Sequence, residues 1–111
     1  MNMKNFILLA FIFCLFSCTK NENELKQQKL PIADFTYTAP TEINVAISFK
    51  NSSTNAVTYE WDFGDGTLST EENPIHTYKS PGTYAVILVT YGSPETNVIN
   101  DIKVKDVKIN E

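Results

Sequence analysis

The sequence predicts an all-β chain, a Greek-key β-sandwich of about seven short strands in two antiparallel sheets. Three observations carry that prediction. Apolar and polar residues alternate with period two over several stretches, as they do where one face of a strand is buried. Clusters of Gly, Pro, Asn, Asp and Ser interrupt those stretches about every ten residues. From Pro31 onward, no stretch shows a convincing helical period.

The first residues read as an address and not as part of the sandwich. Lys4 supplies a positive start, and Phe6 to Phe16 is an unbroken apolar run of 11 residues. A bilayer-spanning helix needs roughly 20 residues, whereas a signal-peptide core is about this short. The run closes on Leu15-Phe16-Ser17-Cys18. Leu15, Ser17 and the cysteine resemble the bacterial lipobox, and that resemblance implies lipid on the Cys18 thiol with cleavage just before it. Two or three acyl chains anchor a protein where one alone is marginal. The alternatives are an ordinary signal peptide in which Cys18 is incidental, or an uncleaved anchor.

Residues 1–17 are thus the expected signal peptide, and 18–30 the lipid-bearing cysteine with a polar tether of about 12 residues, spanning roughly 20 Å if flexible. Lys20, Glu22 and Glu24 bear a resemblance to the charged surface-export signals of Bacteroidetes lipoproteins, but they are spaced out by Asn, and a solvated linker is the favoured account of them.

The folded domain is expected over 31–105, followed by a polar tail over 106–111. Ala33 to Tyr37 makes a first strand, closed by Ala39-Pro40. Asn44 to Lys50 alternates, with Val45, Ile47 and Phe49 on one face, and Asn51 to Asn55 follows as a polar loop. Val57 to Phe63 alternates again. Val57, Tyr59, Trp61 and Phe63 are expected inward; Thr58, Glu60 and Asp62 outward. Gly64-Asp65-Gly66 makes a tight turn, because Gly and Asp tolerate the positive φ that hairpins demand. Thr67 to Ser69 returns, Ile75 to Tyr78 follows Asn73-Pro74, and Thr83 to Tyr91 is the longest strand. Val98 to Val104 is expected to be the last.

Three pieces of this pattern occur in a fixed order: Tyr59-Glu60-Trp61-Asp62-Phe63-Gly64-Asp65-Gly66-Thr67, then Asn73-Pro74-Ile75-His76-Thr77-Tyr78, then Pro81-Gly82-Thr83-Tyr84. Together they resemble the PKD (polycystic kidney disease) repeat family, whose hallmark is a WDFGDG turn, an HTY segment and a PGTY strand start. The resemblance covers about residues 31 to 105 and implies an immunoglobulin-like sandwich. The bottom-up reading of the same residues agrees. Trp61 falls on an inward face, where a large aromatic packs between sheets. Tyr84 stands at a strand start, where its hydroxyl can bond back to the backbone as in a tyrosine corner.

Composition narrows the function. The chain has no arginine, and beyond the first 17 residues 13 acidic residues face eight lysines, a balance of −5. Binding to duplex nucleic acid needs basic surface against phosphates and usually arginine forks for bases, so no nucleic-acid partner is expected. Both cysteines, Cys14 and Cys18, precede the folded part, which excludes a disulfide framework or thiolate metal site there. His76 is the single histidine and lies within the family motif, so a hydrogen-bonded role at the strand junction is expected. Asp62 and Asp65 form a conceivable acid pair, but both belong to a hairpin turn without sugar-holding walls. No enzyme and no cofactor are expected. Hard oxygen ligands make calcium a minor alternative, since some PKD-like domains bind it; Asp62 and Asp65 would be central, with Glu71 and Glu72 near the same turn and Asn55 and Asp34 in other loops.

One departure from the family is informative. The family places Thr at the outward positions of the long strand, where this chain has Ala85, Ile87, Val89 and Tyr91. With Tyr84, Val86 and Leu88 inward, an apolar stripe is left on the outside of a sheet, unless residues 105–111 or long neighbouring side chains cover it. Contiguous exposed apolar surface often marks a partner site. The resulting expectation is an exported, outer-membrane-anchored binding or adhesion module, holding an envelope protein or glycan. The alternative is an inert spacer or accessory subunit of an envelope assembly. A glycan platform would use exposed aromatics, for which Tyr37 and Tyr91 are the candidates.

Overall fold

The computed structural model describes residues 29–93 and 100–111. The expectations for the signal peptide, Cys18 and nearly all of the tether lie outside the described residues. Within them the chain forms seven strands: β1 (Phe35–Tyr37), β2 (Ala46–Asn51), β3 (Thr58–Asp62), β4 (Leu68–Ser69), β5 (Ile75–Thr77), β6 (Gly82–Tyr91) and β7 (Asn100–Ile109).

They form two sheets, one of three strands in the order β1-β2-β5 and one of four in the order β4-β3-β6-β7. Every strand pairing is antiparallel. After β2 the chain crosses to the other sheet for β3 and β4, then returns to place β5 beside β2, the long-range return of a Greek key. A parallel bridge between Glu42 and Asn110 links the sheets at one end. There the Ile43 amide donates to the Asn110 carbonyl, and the Asn110 amide to that of Thr41, each at 2.9 Å.

The core lies between the sheets and is rich in aromatic rings. Phe35, Ile47 and Phe49 from the smaller sheet meet Trp61, Val86, Leu88, Val107 and Ile109 from the larger, with Phe63 and Tyr78 at one end. Burying one such side chain contributes about 1.5–3 kcal/mol. Trp61 is 1% exposed and meets Phe35 edge-on at 5.1 Å. Its indole N–H would be costly to bury unpaired; it donates to the Glu71 carbonyl at 2.8 Å.

Two expectations are corrected. Val57, assigned inward by alternation, is 58% exposed and lies just before β3, which begins at Thr58, so it falls outside the strand's alternating pattern. The last strand runs to Ile109 and not to Val104. Residues 106–109, expected in a polar tail, therefore belong to the sheet, and Val107 and Ile109 are core. The misleading feature is β7 itself. Its first half turns Ile102 and Val104 outward and Lys103 and Lys105 inward, the reverse of the usual arrangement. Lys105 reaches the Phe35 carbonyl, lies over the Phe35 ring and pairs with Asp34 at 3.4 Å. Inward-pointing lysines on an edge strand also discourage pairing with stray strands.

Candidate interaction face

The motif residues divide into a structural knot and an outward face. In the knot, β3 ends in a turn in which Asp62 Oδ1 accepts the Gly64 amide at 2.9 Å and Asp65 Oδ1 accepts the Thr67 amide at 3.1 Å. Gly64 and Gly66 have φ of 82° and 91°, in the left-handed region. The Thr67 hydroxyl donates to Asp65 Oδ1 at 2.5 Å, and His76 Nε2 lies 2.7 Å from Asp65 Oδ2. An ionised carboxylate only accepts hydrogen bonds, so Nε2 carries the hydrogen. The His76 ring stacks on Phe63 at 4.2 Å and meets Tyr78 edge-on at 4.5 Å. The Tyr78 hydroxyl donates to the Phe63 carbonyl at 2.8 Å, and that of Tyr84 to the Ser80 carbonyl at 2.7 Å. Gly82, with φ of 149°, opens β6 just before Tyr84.

This arrangement holds the β3–β4 turn to β5 and leaves little for chemistry. A ring nitrogen that donates to Asp65 cannot also take a proton from Thr67, 3.3 Å away. Burial pushes the Asp65 carboxyl up, but hydrogen bonds from Thr67 and His76 outweigh it and hold the group below its ordinary 3.8. Burial likewise raises the Tyr78 phenol far above its usual range. As for calcium, Asp62 and Asp65 each accept hydrogen bonds within their own turn. Among the described residues, no group of three or more His, Cys, Asp or Glu is placed to hold a metal ion.

The outward face of the four-stranded sheet is different in character. Register places Asp62 beside Leu68 on one side and beside Ile87 on the other, with Val104 beyond. The next row is Glu60, Val89 and Ile102, and the one after it Thr58, Tyr91 and Asn100. Ala85 pairs with Asp106 at the opposite end. The stripe predicted on β6 is thus the middle of a wider island. Ile87 and Val89 are half-buried by their neighbours, while Ile102 and Val104 are 54% and 51% exposed and Leu68 is 75% exposed. Residues 105–109 do not lie over the stripe; they extend β7 alongside β6. Tyr91 donates to Glu60 Oε2 at 2.8 Å, a bond that raises the phenol above its ordinary value.

Sequence reasoning finds the β6 part of this island and misses Leu68, Ile102 and Val104. Their strands are short or inverted, so only the pairing register shows that they share a face. The two tyrosines considered for sugar stacking lie apart. Tyr37 stands on β1 against Phe49 in one sheet, and Tyr91 on β6 in the other.

Comparison with known proteins adds to this picture. The family model described as "PKD domain" matches residues 28–104. Collagenase ColQ1 of Bacillus cereus is 39% identical over 64 residues, which is 56% of this chain but only 7% of that enzyme. Among solved structures, the PKD1 domain of the Vibrio cholerae metalloprotease PrtV is 28% identical with a TM-score of 0.64, over 75% of this chain and 100% of that one. A structure described under the promiscuous specificity of carbohydrate-binding modules of the β-sandwich superfamily is 26% identical with a TM-score of 0.65, over 77% of this chain and 36% of that chain.

Proposed function

Because the chain belongs to the PKD domain family, we propose that it is a non-catalytic binding module, exported and tethered at the cell envelope through lipid on Cys18, that takes a protein partner on the outer face of its four-stranded sheet. The observation that carries this reading is the aliphatic island of Ile87, Val89, Ile102 and Val104, which crosses two strands with Leu68 beyond the acidic pair of β3. A domain that served only as a spacer gains nothing from apolar side chains facing water, and contiguous exposed apolar surface commonly marks a contact site. The enzymes that carry related domains are by name a collagenase and a metalloprotease, and collagen is an extracellular substrate, which supports export and an accessory role.

A glycan ligand is the second reading, favoured by the likeness to carbohydrate-binding modules. Sugar rings stack on flat aromatic faces, however, and the island is aliphatic, with Tyr37 and Tyr91 on separate sheets.

The test is capture from solubilised native envelope with the lipidated protein as bait. Ile87→Thr with Val89→Thr should retain the fold, costing about 1 kcal/mol for each change at half-buried strand positions, and abolish capture. Unfolding of the double variant would mark the stripe as core, unchanged capture would place the contact on another surface, and no partner captured even by the wild type would favour the inert spacer. Cys18→Ser should release the protein from the membrane fraction.

A further inference from the structure

The part of the outer face next to β4 is shaped as well as apolar. Between Leu68 with Thr70 on one side and Ile87 with Val89 on the other runs a groove of about 460 Å³, and Glu60 and Asp62 stand along its floor. Those two acids belong to β3 at positions two apart, so they point to the same side with a spacing of about 6.6 Å. Among the described residues, neither forms an ion pair. Glu60 lies beside Val89, Asp62 lies between Leu68 and Ile87, and the polar partners of their side chains are the Tyr91 hydroxyl and the Gly64 amide. Each carboxylate has further acceptor capacity beyond that one bond.

Resting on the reading of this sheet as a partner face, we infer that the groove takes an extended basic segment of a protein partner, with lysine or arginine at alternate positions. The alternation of an extended chain places residues i and i+2 on one side about 6.6 Å apart, the same backbone repeat at which β3 sets Glu60 and Asp62. The long aliphatic stems of Lys and Arg pack on apolar walls while their charged heads reach polar groups, which is what walls of Leu68, Ile87 and Val89 above an acidic floor provide. An acidic segment is repelled by the same two carboxylates, and a neutral one leaves their charge unanswered. The chain's balance of 13 acidic residues to nine basic ones, none of them arginine, favours the same partner charge at longer range.

The experiment titrates the protein with the peptide Thr-Lys-Thr-Lys-Thr-Lys-Thr and its Glu-for-Lys counterpart, following backbone amide shifts by nuclear magnetic resonance. The lysine peptide should shift the amides of Glu60, Asp62, Leu68, Ile87 and Val89, and the glutamate peptide should not. Glu60→Gln with Asp62→Asn, which keeps an acceptor for the Gly64 amide, should weaken binding at least tenfold and remove most of its salt dependence. Equal binding of both peptides, no binding of the lysine peptide, or shifts spread over other acidic surface would overturn the inference. The two readings fail separately. If the lysine peptide does not bind but envelope capture still depends on Ile87 and Val89, the partner face stands without a basic partner. If the peptide binds as expected but capture ignores those residues, the groove stands and the wider island does not.

Discussion

Gly64 answers two demands at once. Its φ is 82°, and a Cβ built there would lie 2.8 Å from the Ala85 carbonyl oxygen, a backbone atom that cannot swing away. Gly66 has a φ of 91° but open space around it. Gly64→Ala should therefore cost about 2–3 kcal/mol, combining left-handed backbone with a steric clash, and Gly66→Ala about 1 kcal/mol; denaturant unfolding checks the order. Asp65 gives a second test at the same turn. Its carboxyl sits below 3.8 when folded and at its ordinary value when unfolded. Its stabilisation is thus complete above about pH 4 and is lost as pH falls through the lower folded value. Acid unfolding followed by fluorescence should show wild type losing more stability as pH falls below about 4 than Asp65→Asn does. An equal loss would mean that the knot of Asp65, Thr67 and His76 contributes nothing to the acid limb.

The strands differ in how plainly their sequences declare them. β2 and β3 alternate cleanly, so the residue pattern alone marks Ile47, Phe49 and Trp61 as core, and all three are buried; β6 is apolar on both faces from Tyr84 to Val89, so its period alone does not single out Val86 and Leu88, which are buried as well. The turn of Gly64 to Gly66 is legible for the same local reason. β7 is not, because alternation gives a strand's period and leaves open which face is inside. With Ile102 and Val104 outward and Lys103 and Lys105 inward, only pairing with β6 identifies Val107 and Ile109 as core. The outer apolar face of the larger sheet is half legible for that reason: its β6 stripe is local, whereas its width comes from register. Substitution separates the two halves of β7. Ile109→Ala should cost about 2–5 kcal/mol as a buried truncation, while Ile102→Thr should stay within about 1 kcal/mol as a surface change. Comparable losses in thermal melts would contradict the inverted arrangement.

The two poles of the sandwich are distinct. The described chain enters beside the β2–β3 loop, where Ile32 bridges Thr54 and Asn55 donates to the Leu30 carbonyl. The Gly64–Gly66 turn and the end of β7 lie toward the opposite pole, because β3 runs from Thr58 beside Tyr91 to Asp62 beside Ile87 at the middle of β6, Gly64 beyond it lies against Ala85, and Gly82 pairs with Ile109. β6, with ten residues, spans about 30 Å between them. A domain tethered at the first pole would stand on the membrane and present the outer face of the larger sheet sideways, open to a neighbour in the envelope. Photo-crosslinking in intact cells measures this directly, with benzoyl-phenylalanine placed at Ile87, at Ile102, or at Thr36 on the three-stranded sheet. Adducts with a protein partner from Ile87 and Ile102 but not from Thr36 are the expected result. Equal adducts from all three positions, or none from the first two, would contradict a partner face on the four-stranded sheet.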